Sequence, residues 1–370
     1  MQHVYFITGY PGFLASGLIR QLIKDYREQV KHIYLLVLPE KMNRAKEDIF
    51  HFQKAYQLDQ DFTTIIPGDI TKKQLAMNEG TMAKVNNQVT HVFHLAALYD
   101  LAVPKELAHL TNVLGTKQVN QWVQTLPSLK RYVYFSTAYV SGTRKGKIYE
   151  HELKKKQSFR NHYEHTKYLA EISVRKVMNI VPTTIIRASI VIGNSQTGFI
   201  PKFDGLYFLL NFYDKIHFPS LIPYFGDSQV KVEGNFVPSD FVLQATSFLV
   251  MQEESIEKTY HLTDPNPYTM RDIQTMIAEV FLGKRPKRNI PIPLTKALLQ
   301  EKMISKWIKV EKEAMDYFTI PSSYDCSETL KDLSGTGITC PDLKNVLPPM
   351  VDFYRKYKDD HQKQIDVFRQ

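Results

Sequence analysis

The chain has 370 residues, of which 43% are hydrophobic and 12% aromatic, which excludes a disordered or low-complexity protein. At about 150 residues per domain, this length predicts two lobes, or one large domain with an elaborate second part. The net charge of +9 is compatible with an anionic partner, and two cysteines, Cys326 and Cys340, are too few for a disulfide framework or a four-ligand zinc site.

The first forty residues predict a strand, a helix and a second strand. His3–Thr8 is a short run of apolar, β-branched and aromatic residues, as is typical of a buried parallel strand. Apolar residues then recur at helical spacing between positions 18 and 23, and residues 32–38 form another buried strand. This order of elements is that of a right-handed βαβ unit.

A glycine-rich loop joins the first strand to the helix and is suited to a dinucleotide. Gly9 permits a tight turn, Gly12 lets the backbone approach a pyrophosphate, and Ala15 keeps the helix close to the sheet. The start of the helix adds N–H groups and the positive end of its dipole. The loop residues predicted to bind the cofactor are Gly9, Tyr10, Pro11, Gly12, Phe13 and Leu14.

The end of the second strand bears on which nicotinamide cofactor binds. An acidic residue there would hold the ribose hydroxyl of NAD, whereas a basic residue would suit the 2′-phosphate of NADP. Leu38 is neither, and it is followed by Glu40, which favours NAD, and by Lys41 and Arg44, which favour NADP. The balance predicts NADP, bound in part by Lys41 and Arg44, with NAD as the alternative.

Strands and helices continue to alternate as far as residue 193. Four further apolar runs are predicted as strands, with helical stretches between them: residues 63–66, 89–97, 131–136 and 183–187. Five or six strands alternating with helices predict an α/β fold with a Rossmann-type doubly wound parallel sheet. The predicted NAD(P)-binding domain covers residues 1–195 and about 230–263.

Residues 196–229 and 264–370 are assigned to a smaller, mostly helical substrate-binding lobe. The segment 198–226 is rich in aromatic residues, namely Phe199, Phe203, Tyr207, Phe208, Phe212, Tyr213, Phe218, Tyr224 and Phe225. They predict an apolar channel for the substrate. The alternatives are that they form the core of this lobe, or that they lie at a membrane interface, which the charges of Asp204 and Asp214 disfavour.

A tyrosine and a lysine four residues apart form a candidate catalytic pair. Tyr163 and Lys167 share one helix face, and a nearby ammonium lowers the pKa of a phenol from its usual value of about 10. Upstream, Ser136 and Thr137 leave the end of an apolar strand. One of their hydroxyls can hold a substrate carbonyl while the tyrosine passes its proton.

Together with further motifs, these residues make positions 3 to about 265 resemble the extended short-chain dehydrogenase/reductases. The motifs are TGYPGFLA at 8–15, GDI at 68–70, HLAA at 94–97, NVLGT at 112–116, STAYVSG at 136–142, RASIVIG at 187–193 and FVPSD at 236–240, besides Tyr163 and Lys167. The resemblance implies an NAD(P)-dependent oxidoreductase.

The resemblance also assigns roles to residues of these motifs. Asn112 would order the helix beside the active site and support a proton-relay water, and Thr137, five residues before Gly142, would be the catalytic hydroxyl. Tyr163 and Lys167 would contact the cofactor as well as act in catalysis. The other cofactor-binding positions that it implies are Asp69 and Ile70 beside the adenine, Leu95, Ala96 and Ala97 along the dinucleotide, and Ala188 and Ile190.

Within that family, STAYVSG and the aromatic segment are most similar to the fatty acyl-CoA reductase and thioester reductase branch. Its members reduce acyl thioesters with NADPH, so the resemblance implies an acyl-CoA, a carrier-bound acyl group or an aldehyde as substrate. Leu38 and Ala188 depart from the arginine and the proline that are usual at those positions. The alternatives are a sugar-nucleotide epimerase or dehydratase of the same type, and a non-catalytic dinucleotide sensor.

The remaining features predict no further site. His91 and His94 are interpreted as packing residues of a core strand, and no cluster has metal-ligand spacing. The basic clusters at 154–156 and 284–288 are interpreted as solvated loops, so no nucleic acid is predicted as a partner. Because the sequence has neither a membrane-spanning apolar run nor a secretion signal, it predicts a cytoplasmic protein, and an oligomer is left open.

Overall fold

The computed structural model describes residues 2–100, 103–215, 222–226 and 231–364, so Phe218 of the aromatic segment lies outside the described residues. The chain divides into two compact units. The first unit comprises residues 1–140, 162–187 and 243–260, and the second comprises residues 141–161, 188–242 and 261–370. The substrate-binding role given to residues 196–229 and 264–370 stays a prediction.

Short strands and α-helices alternate along much of the described chain. The strands are β1 (His3–Thr8), β2 (Val30–Val37), β3 (Thr63–Pro67), β4 (His91–His94), β5 (Arg131–Thr137), β6 (Gly146–Ile148), β7 (Thr183–Ala188), β8 (Ile190–Ile192), β9 (Pro223–Phe225), β10 (Phe236–Pro238), β11 (Thr259–Leu262), β12 (Arg288–Ile290) and β13 (Ser322–Tyr324).

The helices lie between these strands and after the last of them. They are α1 (Phe13–Tyr26), α2 (Met42–Tyr56), α3 (Glu79–Gln88), α4 (Lys105–Ala108), α5 (Thr116–Val123), α6 (His162–Arg175), α7 (Tyr207–Lys215), α8 (Ser239–Leu249), α9 (Met270–Leu282), α10 (Ile292–Gln300), α11 (Lys302–Ile308), α12 (Ser327–Asp332) and α13 (Leu343–Tyr357). Within the described ranges, none of them combines the length and the apolarity that crossing a bilayer requires.

One large sheet confirms the predicted doubly wound architecture. In the described part of the chain its strand order is β11-β7-β5-β4-β1-β2-β3. The pairs β1–β2, β1–β4, β2–β3 and β4–β5 are all parallel. The chain proceeds from β1 through β2 to β3 on one side of β1 and then crosses to β4 on the other. The topological switch point, where such sheets bind ligands, therefore lies between β1 and β4.

The structure corrects the predicted strands in two places. The sheet contains β11 (Thr259–Leu262), which the sequence did not predict because Thr259 and His261 interrupt its apolar run. The run 89–97 contributes only His91–His94 as a strand. Its last three residues lie outside the strand, and Leu95 and Ala96 approach the backbone of Gly9.

The strands of the sheet lack polar alternation because helices cover both of its faces. All the residues of β4 and β5 are buried. In the core beside them, the Phe6 ring lies 4.4 Å from that of Trp122 on α5, and Ala170 and Val174 of α6 are fully buried. This packing holds α6, and any catalytic residues it carries, firmly against the sheet.

The second unit contains mainly helices, together with three short parallel strand pairs among its described residues. The pairs are β8–β10, β9–β12 and β6–β13. None of these pairs extends beyond three residues in either strand. Most of this unit's burial is therefore provided by helix packing.

Most of the described aromatic residues of segment 198–226 are buried inside the second unit and pack as a core, whereas Phe199 is 48% exposed. The Phe203 ring centroid lies 5.2 Å from that of Tyr207 and 5.0 Å from that of Tyr354 on α13. The rings of Phe212 and Phe225 lie 4.4 Å apart. Because rings in direct contact fill the space between them, this packing favours the alternative of a core over the predicted channel.

Candidate active site

The glycine-rich loop occupies the switch point of the sheet. Gly9 has a φ of +88°, and a Cβ placed on it would lie 2.8 Å from the amide nitrogen of Ala96. Both the backbone conformation and the close approach therefore require glycine. The loops after β1 and β4 meet here, and dinucleotide binding at this point stays a prediction.

The start of α1 provides a donor set that fits a pyrophosphate. The first backbone amide to donate within this helix is that of Ser16, to the carbonyl of Gly12 at 2.9 Å, so earlier amides of the first turn have no intrahelical acceptor. No acidic residue lies in that turn, and Gly12 provides no side-chain cap. Amides and a positive dipole end without a competing carboxylate suit the phosphates of NAD or NADP.

Two basic residues follow β2, where the adenosine ribose of a dinucleotide would lie. Lys41 and Arg44 are both exposed, at the start of α2. Burial raises the pKa of the Tyr10 phenol, Asp48 raises it further, and the charges of Arg20 and Arg44 lower it. Because its charge acts on Tyr10, Arg44 lies near the glycine-rich loop.

Asp69 and Ile70 follow β3 in a tight turn. The Asp69 carboxylate accepts hydrogen bonds from the amide and the hydroxyl of Thr71, each at 2.8 Å, and is held within the turn. Ile70 is buried beside Gly115, where an added Cβ would lie 2.7 Å from its Cδ1 atom. Contact of these two residues with an adenine stays a prediction.

Leu95, Ala96 and Ala97 follow β4 and are partly buried. The amide of Ala96 donates to Thr8 Oγ1 at 3.1 Å, which ties this segment to the end of β1. Thr8 Oγ1 also lies 2.8 Å from His94 Nδ1, and His94 Nε2 lies 3.0 Å from Thr116 Oγ1. His94 is thus a buried residue at the end of β4 whose hydrogen bonds connect it to the end of β1 and to the start of α5.

Tyr163, in the first turn of α6, and Thr137, at the end of β5, come together. Thr137 lies close enough to the Tyr163 phenol to affect its pKa. Burial raises the pKa of Tyr163 to about 12; Thr137 lowers it and the charge of Glu164 raises it. The sequence predicted a lowered pKa for this phenol, and the difference arises because burial disfavours the phenolate.

Lys167 lies one turn further along α6 and is almost completely buried. Its Nζ donates to the backbone carbonyl of Phe135 at 2.6 Å and lies 4.5 Å from the centre of the Tyr134 ring. Burial lowers the pKa of this ammonium to about 7, and Glu171 opposes that shift. The ammonium is therefore oriented by β5, the strand that ends in Thr137.

A buried ion pair beneath these residues was not predicted from the sequence. Glu171, fully buried, accepts hydrogen bonds from Arg187 Nη2 at 2.6 Å and from Arg175 Nε at 3.0 Å. Ser136 Oγ also donates to it, at 2.6 Å. Burial alone would raise the pKa of Glu171, but Arg187 holds it at about 2. The sequence did contain one signal for Glu171: it follows Lys167 by four residues, which places both side chains on one face of the same helix.

The hydrogen bond from Ser136 to Glu171 bears on which of the two strand-end hydroxyls, Ser136 or Thr137, is placed to hold a substrate carbonyl. Ser136 is engaged with Glu171, whereas Thr137 lies close to the Tyr163 phenol. The backbone amide of Tyr139 also donates to Thr137 Oγ1, at 3.3 Å. Of the two, Thr137 is the hydroxyl positioned beside the phenol.

Asn112 lies in a π-helical segment, His109–Gly115, between α4 and α5. Its side chain donates to Thr166 Oγ1 of α6 at 3.0 Å and bonds both the amide and the carbonyl of Leu98. Asn112 therefore links the loop after β4 to the helix that carries Tyr163. A proton-relay role for it stays a prediction.

Two predicted cofactor-binding residues belong to the second unit. Ala188 is the last residue of β7, and Ile190 begins β8, where it pairs with Phe236 of β10. The other predicted site residues, from Gly9 to Lys167, all belong to the first unit. The first unit alone thus contains the glycine-rich loop together with a phenol, a hydroxyl and an ammonium, and these last three groups can hold and protonate a carbonyl oxygen as it gains charge.

Comparison with known proteins adds a family assignment to this geometry. The family described as "Male sterility protein" matches residues 7–246. Fatty acyl-CoA reductase wat of Drosophila melanogaster is 28% identical over 236 residues, which cover 55% of this chain and 45% of that protein. The chain spans less than half the length of the curated fatty acyl-CoA reductases that it matches.

Solved structures share the fold over nearly the whole chain. The terminal R domain from the myxalamid PKS-NRPS biosynthetic pathway superposes with a TM-score of 0.79 at 24% identity, covering 97% of this chain and 92% of that one. UDP-glucuronic acid 4-epimerase from Bacillus cereus, in complex with NAD, superposes with a TM-score of 0.65 at 17% identity, covering 95% and 99%. At these identities, the likeness is one of fold.

Proposed function

The chain belongs to the male sterility protein family, NAD(P)-dependent oxidoreductases of the extended short-chain dehydrogenase/reductase type, and we propose that it reduces an acyl thioester or a fatty aldehyde with NADPH. The observation that carries this proposal is the grouping of Thr137, Tyr163 and Lys167 in the unit that holds the glycine-rich loop. A protein that only sensed a dinucleotide would not need this grouping.

The proposed reaction assigns a separate task to each of the three side chains. When bound, the nicotinamide supplies a hydride to the carbonyl carbon of the substrate. Thr137 donates a hydrogen bond to the carbonyl oxygen, and Tyr163 gives that oxygen its proton. An aldehyde substrate is thereby reduced to the alcohol. A thioester is reduced to a hemithioacetal, whose C–S bond then breaks; the hydroxyl proton leaves with the thiolate, which gives the aldehyde and a free thiol. A phenol with a pKa of about 12 is fully protonated at neutral pH, which suits a proton donor.

Lys167 is proposed to act beside the tyrosine and on the cofactor. Its ammonium would hold the nicotinamide ribose and stabilise the phenolate that remains after Tyr163 has lost its proton. Because the pKa of Lys167 is about 7, its charge is retained only in part at neutral pH. The neighbouring carboxylate of Glu171 favours the charged form.

NADPH is proposed over NADH on the basis of charge near the ribose. Lys41 and Arg44 are exposed after β2, and Arg44 acts on Tyr10 of the glycine-rich loop. A 2′-phosphate would be attracted by both cations. Glu40 is the one acidic side chain between Leu38 and Arg44.

The acyl substrate is proposed from the relatives, several of which are named as fatty acyl-CoA reductases. The thioester substrate would be an acyl group attached to CoA or to a carrier protein. The other proposed substrate is a fatty aldehyde. A cytoplasmic location is also proposed, from the sequence alone.

The test measures the oxidation of NADPH and of NADH with acyl-CoAs, aldehydes and nucleotide sugars in parallel. The proposal predicts oxidation of NADPH with an acyl-CoA or a fatty aldehyde, and little with NADH. Turnover of a nucleotide sugar without net cofactor oxidation, by protein that retains NAD after purification, would instead identify an epimerase.

A further inference from the structure

Most of the net positive charge of the protein is concentrated in one short stretch of the second unit. Residues 284–309 contain eight basic side chains and one acidic side chain, a net charge of +7, whereas the whole chain carries +9. The stretch begins with the basic cluster at 284–288, continues through β12 and α10, and ends just after α11. The proposed reduction does not use any of these residues.

Large apolar side chains are exposed in the same stretch. On α10, Leu294 and Leu298 lie one turn apart and are 54% and 46% exposed. On α11, Met303 and Trp307 also lie one turn apart and are 85% and 56% exposed. Two successive helices thus each present an apolar pair to the outside, which is uncommon on a surface that contacts only water.

Lysines accompany the apolar residues on α11. Lys302 and Lys306 each immediately precede one of the exposed residues, Met303 and Trp307, and are themselves exposed. The helices are anchored by their other sides, through Ile292, Leu299 and Ile308, which are buried. The outer surface of the α10–α11 hairpin therefore combines apolar side chains, an indole and ammonium groups.

We propose that the α10–α11 hairpin, with the basic residues 284–288 before it, docks the protein onto an anionic lipid bilayer. Leucine, methionine and tryptophan side chains would enter the boundary between headgroups and acyl chains, and lysine and arginine side chains would bind lipid phosphates and carboxylates. Both helices are too short to span a bilayer, so they would lie in its surface.

Charge and composition select the bilayer over other occupants. Arg285 and Lys296 form ion pairs with Glu279 and Asp316 outside the stretch, and the other six basic side chains still outnumber its one acidic side chain. A second copy of the chain would therefore bring another basic stretch against the first, which is repulsive. Interleaved lysine, tryptophan and aliphatic side chains are characteristic of helices at a membrane interface, because lysine extends its ammonium to the headgroups while its stem stays apolar. An acidic protein partner is left as an outcome of the test.

The position of the two tryptophans makes the proposal measurable with the intact protein. Trp307 is 56% exposed, whereas Trp122 is buried and donates to Asn86. On adding vesicles of phosphatidylcholine with about 30% phosphatidylserine, Trp307 fluorescence should shift to the blue and be quenched by brominated acyl chains. Trp307→Phe should abolish the shift and the quenching, and vesicles of phosphatidylcholine alone should bind at least about tenfold more weakly.

Matched variants separate the hairpin from general surface hydrophobicity. Met303→Glu should weaken vesicle flotation by at least about tenfold, and Lys306→Ala by about fivefold, the effect of one cation near an anionic surface. Ile180→Glu, at a side chain of the first unit that is 71% exposed, should leave flotation unchanged. Unchanged melting temperatures would show that the variants fold.

Three results would overturn the proposal. One is equal flotation of wild-type protein and Met303→Glu with anionic vesicles. Another is a blue shift of Trp307 that depends on protein concentration without lipid, accompanied by a dimer in light scattering that Met303→Glu converts to monomer. Binding of an acidic protein with no binding to vesicles would likewise contradict a bilayer as the occupant.

Discussion

Burial determines the protonation state of the residues around Tyr163. It raises the pKa of the phenol to about 12 and lowers that of Lys167 to about 7 and that of His94 to about 3. At neutral pH, Tyr163 is therefore protonated, His94 is neutral and Lys167 is partly charged. Glu171 is the buried carboxylate on α6 that favours the charged lysine.

The first prediction at this scale concerns the proton donor. Replacing Tyr163 by Phe should lower kcat by about 100-fold or more, because a positioned acid contributes that much to a proton transfer. NADPH affinity, followed by fluorescence titration, should change little. Tyr168→Phe, five residues along the same helix, is the matched control and should keep wild-type turnover. Equal turnover of Tyr163→Phe and wild type would remove the phenol from the mechanism.

The second prediction concerns the pH dependence of kcat/KM, which reports the free enzyme. If the Lys167 ammonium is required, activity should be lost as the pH rises through about 7, the pKa of that group. The Glu171→Gln variant lacks the negative charge that stabilises the Lys167 ammonium, so the pKa of Lys167 should fall. The loss of activity should then occur at a pH lower by about one unit. The variant should also lose about 3 to 5 kcal/mol of stability, because Arg187 is left buried without its partner.

Ser136→Ala is the control for that experiment. It removes one hydrogen bond to Glu171 and leaves the carboxylate charge in place. Its pH profile should match that of the wild type. A purely structural role for Glu171 would lower activity at every pH without moving the profile, and that outcome would contradict the electrostatic role.

At the scale of elements, the sequence predicted the strands that helices bury on both faces and missed what depends on tertiary contact. β1, β2 and the glycine-rich loop were readable because a parallel strand is an uninterrupted apolar run. β11 was missed because Thr259 and His261 interrupt its apolar run. The pairing of Glu171 with Arg187 was not readable, since it joins a helix to a strand that meet only in the folded sheet.

The glycine-rich loop yields a prediction that separates backbone strain from close approach. Gly9→Ala would place a Cβ 2.8 Å from the Ala96 amide, besides imposing a positive φ on alanine. Gly335→Ala imposes a positive φ alone, because no atom lies within 4 Å of its added Cβ. In urea unfolding, Gly335→Ala should cost about 1 to 2 kcal/mol, and Gly9→Ala should cost more. Equal losses would contradict the close contact between the loops after β1 and β4.

The start of α2 yields a prediction on cofactor choice. Removing Arg44 or Lys41, as Arg44→Ala or Lys41→Ala, should weaken NADPH binding by about tenfold and leave NADH binding unchanged, because only NADPH has the 2′-phosphate. Lys46→Ala, an exposed lysine on the same helix, should alter neither. Equal effects of Arg44→Ala on both cofactors, measured by fluorescence titration, would exclude this phosphate contact.

At the scale of the whole molecule, the candidate catalytic residues and the most basic stretch of the chain lie in different units. The glycine-rich loop and the candidate catalytic side chains belong to the first unit, and the +7 stretch at 284–309 belongs to the second. The aromatic segment of the second unit was predicted as a channel and packs as a core, since sequence alone does not distinguish rings that face a ligand from rings that face each other. Chain-length preference therefore has to be measured rather than derived.

The most direct test of the central claim is the joint measurement of NADPH oxidation and free thiol release from a long-chain acyl-CoA. Reduction of the thioester predicts one thiol released for every one NADPH oxidised if the aldehyde is the product, or for every two if the alcohol is formed. Tyr163→Phe should slow both signals together. Thiol release without NADPH oxidation, or NADPH oxidation without thiol release, would contradict reduction of a thioester by this protein.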